Sequence, residues 1–464
     1  MTDLTPRPRR LRLALASALF GALCTPSGLL HSQPQSSGTP RAQTAQPSEV
    51  ELVISGDPGT PPRYGVPDFV AATPEAADVA KVIGPVLWDD LNFEREFYLI
   101  PHDTAASVPA ARSVEQVPFP AWLELGADAV VVGTVARTGA TVTVQVRLLN
   151  VRTRQSVFSK EYSGSPNNPR LYAHTIADDI HLQQRALRGV ARTKLAFASD
   201  RNRERLVGPV GNRDVKEIYV SDYDGANARR ITTTRQLNIN PTWSPDARAI
   251  AYTSYRRVTP DIFVSLIYQA ILENPTKGQG NNYLPVFSPD GSRIAFMSTR
   301  DGNPEIYVMS RDGTNVRRVT NHPANDATPT WSPTGSQIAF TSDRTGPPQI
   351  YLMNVDGSGV QRISTSETKA DRATWSPAYN EIAFAAETGS GYDIKVYDLA
   401  SRVTRQITFG GGTNESPAFA PNGRHIAYTS VRGGRVQIFL IDRDGKNPHQ
   451  ITRDGNNQTP AWSQ

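Results

Sequence analysis

The stretch TWSPTGSQIAFTSDRTGPPQIYLMNVDGSGVQRIS, residues 330–364, sets short apolar runs between turn residues. Trp331 opens it, Ile338-Ala339-Phe340 follows, and QIYLM (349–353) makes a third run before Arg362-Ile363-Ser364. Each run is too short for a helix and carries the β-branched and aromatic residues of buried strands. The same text recurs along the chain. The aromatic marker falls at Trp243, Phe287, Trp331, Trp375, Phe419 and Trp462, in steps of 44, 44, 44, 44 and 43 residues. The apolar-Ala-aromatic triplet begins at Leu195, Ile250, Ile294, Ile338, Ile382 and Ile426. Four short strands in a 44-residue unit, joined by turns such as Ser288-Pro289-Asp290-Gly291, make a β-propeller blade. In the first unit Arg188 stands where the aromatic marker belongs, and the missing strand lies at the other end as TPAWSQ, 459–464. The pattern predicts a six-bladed propeller over 189–464, closed by the strand 459–464 so that no sheet edge stays open.

Upstream the periodicity changes. Strands are expected at 50–54, 97–100, 129–134, 141–150 and 157–162, and helices at 74–91, 121–125 and 170–184. Thr73 reads as the N-cap of the first helix, with Pro74 at its first position. These elements compose an α/β domain over 49–188. The stretch before it, 31–48, is a polar Pro/Gln/Ser linker with no core-forming pattern. Residues 1–30 read as a signal peptide: Arg7, Arg9, Arg10 and Arg12 precede the apolar run LALASALFGALC, 13–24. That run is well short of the roughly 20 residues that span a bilayer. Cys24, the only cysteine, lacks lipobox spacing, with Gly21 and Leu23 at its −3 and −1 positions. Cleavage beyond it leaves a chain without thiols, which excludes disulfides, thiol catalysis and cysteine metal sites.

The net charge of +5 is not a nucleic-acid signature. Arg7, Arg9, Arg10, Arg12 and Arg41 against Asp3 account for +4 of it, leaving a balanced body.

In the first domain AWLELGADAVVVGTV (121–135) and AHTIADDI (173–180), and in the propeller VSDYDG (220–225) and the closing PAWS (460–463), carry a resemblance. Over 49–464 the chain resembles the TolB family, periplasmic components of the Tol–Pal system. The resemblance implies a non-enzymatic periplasmic adaptor, monomeric and peripheral to membranes. It would bind a Pal-like peptidoglycan-associated lipoprotein through one propeller face, and a TolA-like inner-membrane protein through its mature N-terminus, here about 48–55. It would thereby support outer-membrane integrity and cell division. The family's binding region includes the loop Gly280-Asn281-Asn282; Asn281 stands where the family would show a histidine.

Two sets of positions are candidates for the partner face. Five residues before each aromatic marker stand Asn238, Asn282, Asp326, Ala370, Asn414 and, in the last unit, Asn457. Their place at the entry to the innermost strand puts their side chains at the channel mouth, either presented to a partner or closing Asx-turns. Between the second and third strands lie Arg201, Arg256, Arg300, Arg344 and Arg432, with Thr388 in the fifth blade. These guanidinium groups either buttress neighbouring loops or meet the partner.

Enzyme signatures are weak. No Gly-x-Ser-x-Gly elbow, His-x-x-x-His pair or phosphate loop occurs, and no catalytic residue, cofactor, metal or nucleic acid is expected. His174 and His181 lie seven apart on one helix and read as a surface coincidence. Asp222-Tyr223-Asp224-Gly225 and Asp442-Arg443-Asp444-Gly445 read as hairpin turns rather than calcium loops. The alternative is a secreted propeller hydrolase or lyase acting on sugars or peptides in the channel. It requires a convergent carboxylate pair there, whereas an amide and hydroxyl mouth is expected. A binder of other ligands, such as peptidoglycan fragments, is a third reading.

Overall fold

The alternation of apolar and polar residues along Ala129–Thr138, Thr141–Asn150 and Ser156–Gly164 folds them into an antiparallel meander, one face toward a core. The structure, a computed structural model, describes residues 60–205, 215–257, 259–389, 391–410 and 412–464. The expected signal peptide, linker and strand 50–54 lie outside these residues. All described residues belong to the unit Gly56–Gln464.

The meander is extended by the parallel strands Arg63–Gly65 and Tyr98–Leu99, with Val70–Ala71 also pairing to Ala129–Thr138. The mixed sheet carries the helices Ala77–Glu94 and Pro169–Arg185 on one face. Ile83, Leu87, Leu91, Ile176 and Ile180 pack with Val131, Val144 and Leu148 as one core, every one of them buried. On the other face Phe119 and Trp122 of the short helix Phe119–Glu124 close a second core around Val130 and Leu149. Gly65 is needed there, because a Cβ would lie 2.4 Å from the Trp122 ring. Thr73 does not cap the first helix. That helix begins as a 3₁₀ turn, Pro74–Ala76, and the Thr73 hydroxyl instead accepts the Arg137 N–H at 3.0 Å. Arg63–Gly65, Val70–Ala71 and the helix His102–Ala106 escape the sequence reading because elements this short leave no period to detect.

The remainder forms six four-stranded sheets, five of them with their strands in chain order from the axis outward. In blade four these are Asp326–Trp331, Gln337–Ser342, Gln349–Asn354 and Gln361–Arg362. Blade one breaks the order: its innermost strand is Asn457–Trp462, paired to Lys194–Ser199. The ring is therefore closed by a strand from each end of the propeller. Neighbouring blades pack wall to wall; Ile306 and Val308 of blade three meet Trp331, Phe340 and Met353 of blade four. The indole N–H groups of Trp243 and Trp331 donate to Ala461 and Val286 carbonyls of the preceding blades at 3.1 and 3.2 Å.

Candidate functional site

Every innermost strand carries a bulge at the third position counted from its recurring Asn, Asp or Ala. Asn240, Leu284, Thr328, Arg372, Ser416 and Thr459 all have φ between 49° and 56°, and pairing to the second strand slips there. Proline follows in five of the six, Pro241, Pro285, Pro329, Pro417 and Pro460, where the ladder has no use for an N–H. Blade five has Ala373 instead. In a regular strand the first and third residues share a face. The bulge separates them, turning the third residue into the axial channel and the first into the seam between blades.

The recurring amides therefore do not line the channel mouth. Asn238, Asn282, Asp326, Asn414 and Asn457 are all 0% exposed. The Asn282 amide donates to Asp261 of the preceding blade at 2.9 Å, Asn414 to Asp393 at 2.9 Å, Asn238 to Glu217 at 2.8 Å and Asn457 to Gln437 at 3.0 Å. The same acceptor takes a hydroxyl from the end of its own blade, as Thr408 to Asp393 at 2.8 Å and Thr452 to Gln437 at 2.7 Å. That hydroxyl in turn accepts the N–H of Ile394 or Ile438 at 2.8 and 2.9 Å. This three-residue clasp joins blades one to two, two to three, five to six and six to one, and at the first of these Asn238 Oδ1 stays buried without a hydrogen-bond partner among the described residues.

The arginines finish the clasp from outside. Arg300 donates to Asn282 Oδ1 at 3.1 Å and to Ser298 at 3.1 Å, while Arg201 repeats both contacts with Asn457 and Ser199. Arg344 forks onto both oxygens of Asp326 at 2.8 and 3.1 Å and lies 5.0 Å over the Tyr351 ring. Burial pushes the Asp326 carboxyl up, against the pull of Ser342 and Arg344, and Glu305 nearby adds to the rise. Arg432 bonds Ser430 at 3.0 Å, and Ser430 bonds Asn414 at 2.7 Å. Arg256 differs: it is exposed, and its backbone N–H donates to Ser254 at 3.2 Å. Asn281 is half-buried, its carbonyl accepting the Thr299 N–H at 3.1 Å.

The axis itself is a cavity of about 430 Å³. Its wall is the prolines, Thr242, Thr330 and Thr374, the four propeller tryptophans and the bulge residues, among them Arg372. The described lining holds no Asp or Glu, and no cluster of three or more potential metal ligands occurs among the described residues. Arg372 escaped the sequence reading, although blade five signals it: ADRATW (370–375) replaces both the asparagine and the proline of the repeat.

Two family models match the chain: the TolB amino-terminal domain over residues 50–157 and the TolB β-propeller domain over 184–464. The chain belongs to the TolB family. The Tol-Pal system protein TolB of Pseudomonas putida is 33% identical over 234 residues, 50% of this chain and 51% of its own. That of Desulfosudis oleivorans is 30% identical over 204 residues, 43% and 44% of the two chains. The matched stretches thus span about half the length of these curated relatives. The crystal structure of TolB from Acinetobacter baumannii superposes with a TM-score of 0.73 at 24% identity, over 87% of this chain and 96% of that one. The shared fold is the amino-terminal α/β domain followed by the six-bladed propeller.

In this member of the TolB family the amino-terminal domain sits on the turns at the opposite propeller face from the arginines. Arg170 pairs with Asp222 at 3.3 Å and also with Asp224, and Arg95 pairs with Asp442. His174, expected at the surface, is 1% exposed between Asp90 (2.7 Å) and Asp222 (3.6 Å), with Tyr223 donating to Asp90 at 2.9 Å. His181 is equally buried, on the same helix face. Burial works against a charge on His174, but Asp222 and Asp90 outweigh it and raise its pKa to about 9. At a second patch Glu94 meets Arg424 and, at 3.3 Å, His425, with the Phe93 ring 4.3 Å from the His425 ring. Burial holds His425 below its ordinary value, against the pull of Glu94. Glu94 itself is pushed up by burial, yet His425 and Arg424 bring it below the usual range. The two Asp-x-Asp-Gly turns are hairpins, as their spacing suggests, and also the sockets of the domain contact.

Proposed function

We propose that this chain is a non-enzymatic component of a Tol–Pal system, acting in the periplasm. On this reading a Pal-like peptidoglycan-associated lipoprotein binds the propeller face that carries the arginine loops, and residues 48–55 engage a TolA-like inner-membrane protein. The adaptor would link the two in support of outer-membrane integrity and cell division. The observation that carries the reading is a TolB-family propeller with its domain contact confined, among the described residues, to the opposite face. The clasp residues then act by holding that face in shape, and exposed groups such as Arg256 and Phe409, the latter 77% exposed, are the ones offered to a partner. A glycoside hydrolase would need two carboxylates about 5–9.5 Å apart, and the described cavity wall has neither.

Capture of periplasmic proteins on the mature chain tests this. Recovery of a Pal-like lipoprotein should fall at least tenfold with Arg256→Glu combined with Phe409→Asp. It should persist with Leu182→Asp, an exposed residue of the amino-terminal domain. Recovery indifferent to the face variant would remove that face from the proposal.

A further inference from the structure

The described lining of the cavity on the propeller axis has one charged side chain. Five bulge residues facing it are neutral, and the sixth, Arg372, is the single charged side chain of its described lining. Asn240 and Arg372 belong to blades two and five, opposite one another in the ring. Arg372 Nη1 nevertheless comes within 3.5 Å of Asn240 Oδ1, so its side chain crosses the axis. No carboxylate lies within ion-pair distance of the guanidinium among the described residues. The neighbouring Asp371 is engaged elsewhere: its Oδ1 accepts from Thr341 at 2.8 Å, from Thr328 at 3.3 Å and from the Arg372 N–H at 2.7 Å. Glu415, on the adjacent innermost strand, is half-buried and is not part of the lining.

A half-buried guanidinium in a wall whose described side chains include no Asp or Glu has lost part of its hydration without gaining a side-chain counter-charge. Its planar fork matches a carboxylate in bidentate geometry, and one positive charge matches a monoanion better than a phosphate dianion. The proline, tryptophan and Leu284 parts of the wall offer apolar surface to the carbon skeleton attached to such a group. We propose that the axial cavity is a carboxylate-binding site with Arg372 as its anchor. The ligand is a small monocarboxylic acid or the carboxylate side chain of a polypeptide entering the channel mouth. This inference rests on the cavity alone and not on the partner reading proposed above.

Trp243, Trp331, Trp375 and Trp462 line the same cavity, so intrinsic fluorescence reports its occupancy. The full chain would be titrated at constant ionic strength with sodium propionate, with the capped peptide acetyl-Gly-Asp-Gly-amide, with sodium phosphate and with sodium chloride. Saturable quenching or enhancement by propionate or the peptide is expected, beyond that of chloride and at least tenfold weaker in Arg372→Gln. The arm that binds tighter identifies the source, free acid or polypeptide. Arg372→Asn, suited to the left-handed backbone at that position, repeats the test should the glutamine variant fold poorly. The proposal is overturned if neither carboxylate exceeds chloride, if phosphate binds more tightly than both, or if folded variants respond as the parent does.

Discussion

Asp326 is the one clasp position where a carboxylate replaces the amide, and the change has an energetic signature. In blades one, two, three and six the amide N–H donates to the preceding blade's acceptor; here Asp326 faces the region of Glu305 and depends on the Arg344 fork. Removing that fork strands a fully buried carboxylate. Arg344→Ala is expected to cost about 3–5 kcal/mol, the loss typical when one partner of a buried pair is removed. Asp326→Asn restores the amide of the other blades and should cost less than about 1 kcal/mol, since the Arg344 bond to Oδ1 is kept. Denaturant unfolding of the two variants measures the difference; equal losses would show that the fork does not hold Asp326. The Asn and Arg positions were visible in the sequence as a six-fold spacing, but their direction was not. Direction depended on a left-handed residue two places further on, where Asn240, Leu284, Thr328, Arg372, Ser416 and Thr459 represent five different residue types. A bulge that any side chain can occupy leaves only the following proline as its trace.

At the scale of elements, the contact between the helices Ala77–Glu94 and Pro169–Arg185 and the propeller turns is built from two patches of opposite pH response. His174 is protonated in the folded chain up to about pH 9, whereas a free imidazole titrates near 6.5. Its contribution is complete below about 6.5 and is lost as the pH rises through 9. His425, held neutral, and Glu94, held ionised, contribute at neutral pH. The His425 share fades as the pH falls below about 6.5 and the Glu94 share as it falls further, through the carboxylate range. The domain contact should therefore be strongest near pH 6.5. Calorimetric melting across pH 4–10 should show a fall on both sides, with His174→Gln flattening the alkaline limb and His425→Gln the acid one. An alkaline limb unchanged in His174→Gln would refute this assignment. The helices themselves were legible from apolar spacing. Their docking was not, because Arg170 and its partner Asp224 are 54 positions apart, and Arg95 and Asp442 are 347 apart. Each looks like an ordinary surface charge until the fold joins them.

For the whole molecule, the 44-residue repeat made the ring legible almost strand by strand, since each blade repeats one buried pattern. Its closure is also its weak point. Deleting residues 457–464 strips blade one of its innermost strand and exposes the edge of Lys194–Ser199. Loss of the cooperative transition and a marked rise in self-association are expected, read by scanning calorimetry and light scattering. A deletion variant that melted like the parent as a monomer would contradict this. The Lys194 N–H bonds the Ser463 hydroxyl across 269 positions of chain. A chain that emerges N-terminus first holds its first propeller strand without a neighbour on one side until nearly the last residue has arrived. Blades two to six can zip from local contacts, but the ring is committed only at the end. Any helper that shields this protein during its biogenesis has one strand to guard, and its task ends when residues 457–462 arrive.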